Sequence, residues 1–406
     1  MIPGVRAVAI ATGLSTAGVL PVFLLGGISV FIRDEVSLDG GRLGALVALF
    51  FLASAVSSIP GGRYADRTSV RGAVTVASAC SASALLVGGT IPGGFGLWAG
   101  VMVVAGLGNG ISQPTSSLVI ARAVERRRQG MAFGVKQAAI PFATLIVGAV
   151  VAVVAVRIGW QASFALASVL PIAVAVAMPA RFPSGRPRPP GSGFREGDAG
   201  LVPMVWLATA TGVGAAYGTF LASFFVTFVV DSGLTAAFAG RVLTVASIAG
   251  ILSRLLLGVV ADRMIRGQLR LVGRLALVGS FGFAGFVAIG VSGSPEAVAG
   301  TSVRSLLVVS ALIAFTAGWS WTPLFNFAVV QLNPNAPGAA SAITQVGVFI
   351  GGVLGPALFG AVVSRWSFAL AWALAVALSV FCWTAIRISL ATLVRSGAGE
   401  GTPRNW

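Results

Sequence analysis

The sequence contains no histidine. That absence excludes histidine-based general acid–base chemistry and the usual zinc and haem ligand sets. Charge is scarce too: 9% of residues are Asp, Glu, Lys or Arg, where a soluble domain carries about 25%. Cysteine occurs only at Cys80 and Cys382, each inside an apolar run and far from the other. Two such thiols read as packing residues, not as a disulfide or a metal site. Lysine occurs once, at Lys136, and every other basic residue is arginine.

What is present is apolar. Hydrophobic residues make up 56% of the 406 residues, and the mean hydropathy is +0.95. No aqueous fold hides that much apolar surface, so the bilayer is the natural solvent. Glycine is abundant, with 54 residues. In a membrane, small residues let helix backbones touch where no hydrophobic force drives them together. Runs long enough to span lie near 7–31, 43–60, 71–91, 96–120, 130–155, 161–180, 203–230, 238–260, 273–291, 305–330, 339–363 and 367–390. The first run is read as a retained span and not as a cleaved signal, because it is long and no small-x-small cleavage pattern stands out. The spacers are short except for 181–202, which is rich in Pro, Gly and charge and reads as a cytoplasmic linker. It divides a six-helix half at 1–180 from a second half at 203–406, which ends in a short cytoplasmic tail.

The arginines set the expected orientation. With a cytoplasmic N-terminus, nineteen arginines fall in cytoplasmic segments and six in outer ones. Both chain ends then face the cytoplasm. Trp98, Trp160 and Trp366 fall at outer helix starts, where interfacial anchors belong. The net charge of +16 follows from this topology. The positives are not gathered on one aromatic-studded face, so nucleic acid is not an expected partner.

The chain also repeats. A shift of 196 pairs Glu35 with Asp231, Gly44 with Gly240, and Gly62, Ala65, Asp66 and Arg67 with Gly258, Ala261, Asp262 and Arg263. A shift of 208 to 209 pairs Pro114 with Pro323, Gly130 with Gly338, and Gln137 with Gln345. The sequence therefore predicts an all-α membrane protein of twelve transmembrane helices in two pseudo-symmetric six-helix bundles. Parallel repeats of this kind place a pseudo-two-fold axis along the membrane normal, with a solute site between the halves near the midplane.

The segment Gly62-Arg63-Tyr64-Ala65-Asp66-Arg67-Thr68-Ser69-Val70-Arg71, between the second and third runs, resembles the signature loop of the major facilitator superfamily. Gly258-Val259-Val260-Ala261-Asp262-Arg263 resembles its second copy. The first copy has Ser69 where glycine is usual and Val70 where a basic residue is usual; the second lacks the trailing basic pair. The resemblance implies that Gly62, Asp66, Arg67, Arg71, Gly258, Asp262 and Arg263 form a conformational latch that stabilises the outward-open state. In physical terms, Gly62 permits close helix contact, and Asp66 sits where a partner helix N-terminus offers positive dipole.

Ionisable groups inside spans are costly and mark functional candidates. Two stand out. Lys136 lies eight residues beyond Arg128, and Arg254 lies eight residues before Asp262, so each sits roughly 12 Å deep. They come from opposite halves and could flank one anion. The repeat gives them neutral mates, Thr344 and Ser58, so both charges break the two-fold pattern. Asn109, Gln113, Gln137, Tyr217, Asn326 and Gln345 accompany them as candidate substrate contacts. No Asp or Glu lies near the middle of any run. A mid-span carboxylate proton site is therefore missing, unless Glu35 or Asp231 is drawn into the outer vestibule, and a cationic drug finds no buried anionic partner. The sequence also departs from the span-four arginine and span-five Gly-Pro pattern of drug–proton antiporters in the superfamily. The expected function is secondary transport of a small organic or inorganic anion by rocker-switch alternating access, with no catalytic residue, metal or cofactor. The expected setting is a monomer, multi-pass in an inner (plasma) membrane, with a proton as the candidate coupling ion. The alternative is efflux of drugs or other amphiphilic compounds through a cavity lined by Trp319, Trp321, Phe224 and Phe225.

Overall fold

The computed structural model describes residues 4–67, 69–91, 93–125, 129–180, 182, 198–264, 267–292, 300–333 and 337–395. Among the described residues all regular structure is helical. Twelve helices are long and apolar enough to cross a membrane. They are span 1 (Gly4–Arg33), span 2 (Gly40–Ala65), span 3 (Val70–Thr90), span 4 (Phe95–Ala123), span 5 (Met131–Ala155), span 6 (Trp160–Ala177), span 7 (Leu201–Asp231), span 8 (Ala236–Ala261), span 9 (Gln268–Val291), span 10 (Thr301–Gln331), span 11 (Ala340–Arg365) and span 12 (Phe368–Arg395). Apart from 182 and 198–200, the segment 181–200 lies outside the described residues.

Short polar side chains start several spans. The Asp39 carboxylate accepts the Arg42 N–H at 2.7 Å before span 2. Thr235, its counterpart at the 196-residue shift, accepts the Phe238 N–H before span 8. Ser69 accepts the Gly72 N–H before span 3, and Ser367 the Leu370 N–H before span 12. Each satisfies a donor that the helix itself leaves open.

The spans are not all continuous. Span 5 stops at Gln137, turns at Ala138, resumes at Ala139–Val150 and ends in a π-helical turn, Val151–Ala155. Span 10 runs helically to Ile313, loosens into a π turn at Ala314–Gly318, and resumes at Thr322–Gln331. Pro141 and Pro323 lie just past these breaks, where a proline neither donates to the preceding turn nor fits against it.

Within the first half, span 4 packs on spans 1, 2 and 3; within the second, span 7 packs on spans 11 and 12. Glycine makes the closest seams: a side chain at Gly351 would run into the Gly212 carbonyl, and one at Gly106 into the Phe50 carbonyl. The halves meet along spans 1 and 7, 2 and 11, and 5 and 8. Those contacts gather at one end of the bundle. There Ser29 and Thr227 hydroxyls lie 2.7 Å apart, Thr144 and Ser247 hydroxyls 2.8 Å apart, and Arg33 pairs with Asp231 at 2.5 Å. Gly44 abuts the backbone of Pro356 and Gly360, and Gly148 abuts Gly240 and Thr244. We call this the sealed end. The opposite end carries the arginine-rich loops that include Arg63, Arg71, Arg263 and Arg270, all exposed.

One reading of an individual residue changes. Trp98 is not an interfacial anchor; it is buried against Trp160 and Phe164, whose rings lie 6.2 and 5.5 Å from it. Trp366 is exposed, as an anchor should be. Both cysteines are free thiols.

Candidate functional site

The break in span 5 shapes the candidate site. The helix ends there at Lys136 and Gln137, and these two residues serve opposite walls. The Lys136 side chain is 8% exposed and reaches span 4. Its ammonium donates to the Ser117 hydroxyl at 2.8 Å and to the Gln113 carbonyl at 3.1 Å. Both acceptors are neutral, and an ammonium has three hydrogens to place.

Span 4 continues this polar surface. The Gln113 amide donates to the Asn109 side-chain carbonyl at 3.2 Å, and the Asn109 amide donates to the Ser54 hydroxyl of span 2 at 3.0 Å. Ser54 in turn donates to the Gly106 carbonyl. One turn away, Ser15 of span 1 donates to Ser116 at 2.9 Å. Lys136, Gln113 and Asn109 thus form one connected strip in the first half, and buried polar groups in such a strip hold each other in fixed orientations.

Arg254 approaches the same break from span 8. It is 1% exposed. One terminal nitrogen donates to the Gln137 carbonyl across the interface between the halves, and the other to the Trp319 carbonyl at 3.0 Å. Its guanidinium carbon lies 5.4 Å from the Trp319 ring centroid. Its Nε has no hydrogen-bond partner. No carboxylate meets either cation: among the described residues the salt bridge formed is Arg33–Asp231, at the sealed end. A guanidinium inside a membrane span costs about 3 kcal/mol on insertion scales, and neutral carbonyls compensate it only in part.

The other candidates divide. Gln137 takes part through its backbone carbonyl. Asn326 on span 10 and Gln345 on span 11 are exposed. Gln345 lies seven residues before Gly352, which abuts Phe51 of span 2, so it shares the face that span 11 turns towards the first half. Tyr217 is fully buried instead; its hydroxyl accepts from the Trp321 indole at 3.1 Å and its ring packs on Phe283. Phe224 and Phe225 are likewise packed inside the second half, on Phe359 and on Phe286 and Phe315. Trp319 does reach across, with its ring edge-on to Phe23 of span 1.

Of the latch residues, Gly62 faces Pro114 of span 4, whereas Gly258 faces open space. Arg71 and Arg263 are exposed. The side chains of Asp66, Arg67 and Asp262 lie outside the described residues.

Sequence reasoning passed over Ser54 and Ser117, placed Trp319 only in the alternative greasy cavity, and drew no helix break from Pro141 or Pro323. The prolines did carry a signal. A proline leaves the carbonyl four residues earlier without its helical donor. The carbonyls so exposed are those of Gln137 and Trp319, the two that Arg254 occupies.

Twelve membrane-length helices in two packed halves, with polar groups at the junction, define a multi-pass transporter fold. The family model of the Major Facilitator Superfamily matches residues 8–300, and the chain belongs to that superfamily. A search of curated protein sequences returns no match. Among solved structures, the fold is similar to a D-xylose–proton symporter, with a TM-score of 0.77 at 15% identity, covering 94% of this chain and 96% of that one. It is also similar to a bacterial homolog of the human lysosomal transporter Spinster. The inward-facing, unoccupied form gives a TM-score of 0.63 at 16% identity, covering 98% of this chain and 96% of that one. The inward-facing, occupied form gives 0.63 at 16%, with coverage of 96% and 94%. The likeness is one of fold.

Proposed function

We propose that this transporter carries a small anion, organic or inorganic, and binds it beside Lys136 near the break in span 5. One observation carries the reading: two buried cations, Lys136 and Arg254, meet only neutral acceptors among the described residues. A buried positive charge without a counter-charge attracts an anion strongly, because the surroundings screen it little. Gln113 and Asn109 would orient the solute, and Gln345 and Asn326 would complete the wall supplied by the second half. By the distribution of arginines, the sealed end faces outward and the arginine end the cytoplasm of a cell bounded by this inner membrane. The structure then corresponds to an inward-facing state, and alternating access would rock the halves about the region of Arg254.

Export of amphiphilic compounds has weaker support, because Phe224, Phe225 and Trp321 are used in packing the second half. A thermal-shift screen of the purified protein separates the two readings, since a ligand that binds the folded state raises its stability, by about 2.7 kcal/mol at a hundred times Kd. Oxalate, lactate, nitrate or phosphate should raise the midpoint, and Lys136→Gln should weaken that response by at least about tenfold, equivalent to 1.4 kcal/mol. Stabilisation by hydrophobic drugs with none by anions would reverse the assignment.

A further inference from the structure

Arg254 has two hydrogen-bond acceptors, and both belong to a special class of carbonyl. In a helix the carbonyl of residue i is closed by the N–H of residue i+4. Four residues after Gln137, the last residue of its helix, stands Pro141; four after Trp319, which lies in the turn before the resumed helix, stands Pro323. Neither proline has an N–H to give. Inside a membrane such open carbonyls need a donor from elsewhere. Arg254 supplies both donors with its two terminal nitrogens. The two carbonyls lie in different halves, on spans that the repeat does not relate: span 5 corresponds to span 11, and span 10 to span 4.

The seat is incomplete as a home for a charge. The guanidinium has five N–H groups; two serve the carbonyls, and the buried Nε has no partner. The Trp319 ring lies on it, so the same residue supplies a carbonyl and an aromatic face. Lys136, the neighbour of Gln137, directs its ammonium to the opposite wall. An anion drawn to Lys136 therefore arrives one residue away from the carbonyl that holds Arg254.

We propose that Pro141 and Pro323 are positioning residues that hold Arg254 in reserve, seated on the carbonyls of Gln137 and Trp319, until an anion draws it off. The release half of this proposal rests on the anion reading above; the seat does not. Binding and movement are then one event. When the guanidinium turns to the anion it lets go of the Gln137 carbonyl, a hydrogen bond that crosses between the halves beyond those of the sealed end. The anion's affinity for the site and the hold of one half on the other become linked quantities.

The test is a cycle on the full-length purified protein. Arg254→Met is made in the natural sequence and in the Pro141→Ala/Pro323→Ala background, where each carbonyl gains a candidate N–H donor four residues on in its own span. The first readout is the unliganded unfolding midpoint. Arg254→Met should lower it by about 4 °C in the natural sequence and by less than half as much in the alanine background. Equal losses in both backgrounds would overturn the seat. Arg254→Lys takes the place of Arg254→Met if the latter does not fold, with the same non-additivity expected. The second readout is stabilisation by oxalate, nitrate, lactate and phosphate. Whichever of these stabilises the natural protein should do so at about fivefold lower concentration in the alanine background, because the guanidinium is no longer held back. An unchanged or weaker response would overturn the release. If none of these anions stabilises any variant, the anion reading and the release fall together, and the unliganded cycle still decides the seat.

Discussion

The two halves share a fold and hold it together differently. In the first half, side chains bond to side chains: Ser15 to Ser116, Gln113 to Asn109, Asn109 to Ser54, Lys136 to Ser117. In the second half, rings pack on rings. Trp372 alone meets Phe228, Phe283, Phe286 and Phe359, and Phe359 continues the cluster to Phe220, Phe224 and Phe368. An aromatic pair is worth about 0.5–1.5 kcal/mol beyond the area it buries. A hydrogen bond between membrane helices averages about 0.6 kcal/mol, because the unfolded reference in lipid also finds partners. By these magnitudes the second half is the one held more by aromatic packing than by exchangeable hydrogen bonds. The first half holds polar groups that can exchange one partner for another at little cost. A pseudo-symmetric scaffold can divide its work in this way without changing its topology.

The comparison can be broken at several points. The largest effect should come from Trp372→Ala, which ought to cost about 3–5 kcal/mol in reversible unfolding in detergent. Trp98→Ala, its buried counterpart in the first half with partners Trp160 and Phe164, should cost clearly less. Equal losses would remove the contrast. Next comes Asn109→Ala, which takes a partner from both Ser54 and Gln113. A loss of about 1 kcal/mol is expected, and it should be non-additive with Ser54→Ala in a double-mutant cycle. Strict additivity would mean that the strip is a set of separate contacts. The smallest effect belongs to the ion pair at the sealed end. Arg33 and Asp231 are each about one-third exposed, so Arg33→Gln should cost well under 1 kcal/mol. Its trace should appear instead in access: a cysteine placed at Thr227 should react faster with a membrane-impermeant reagent in Arg33→Gln. Unchanged labelling would assign the seal to the glycine seams and the hydroxyl pair Thr144–Ser247.

The fold was legible because a bilayer asks for little more than length and apolar content. Each of the twelve runs reappears as a helix, with ends displaced by a few residues. The breaks in spans 5 and 10 were not read, although Pro141 and Pro323 announced them, because an apolar run gives the same hydropathy whether its helix is whole or divided. At the site, depth located Lys136 and Arg254 but not their partners. Those partners are backbone carbonyls and serines, groups too common to single out in a sequence. Tyr217 shows the opposite failure. A hydroxyl in a membrane span looked like a solute contact, yet Trp321 satisfies it inside a core that only the folded chain assembles.

The sealed end has one further consequence. Much of it is bare backbone meeting backbone, with Gly44 on Pro356 and Gly360, Gly148 on Gly240, and Gly26 on Ser223. Dispersion attraction has a short reach: a gap of about 0.5–1 Å already forfeits a quarter to a half of it. A closure made this way behaves as a click and not as a spring. The seams offer almost no reward for being half shut, so an ajar intermediate would rest on the hydroxyl pairs and on Arg33–Asp231 alone. For a membrane that must keep its ion gradients, such a closure would leave few half-open states through which ions could leak.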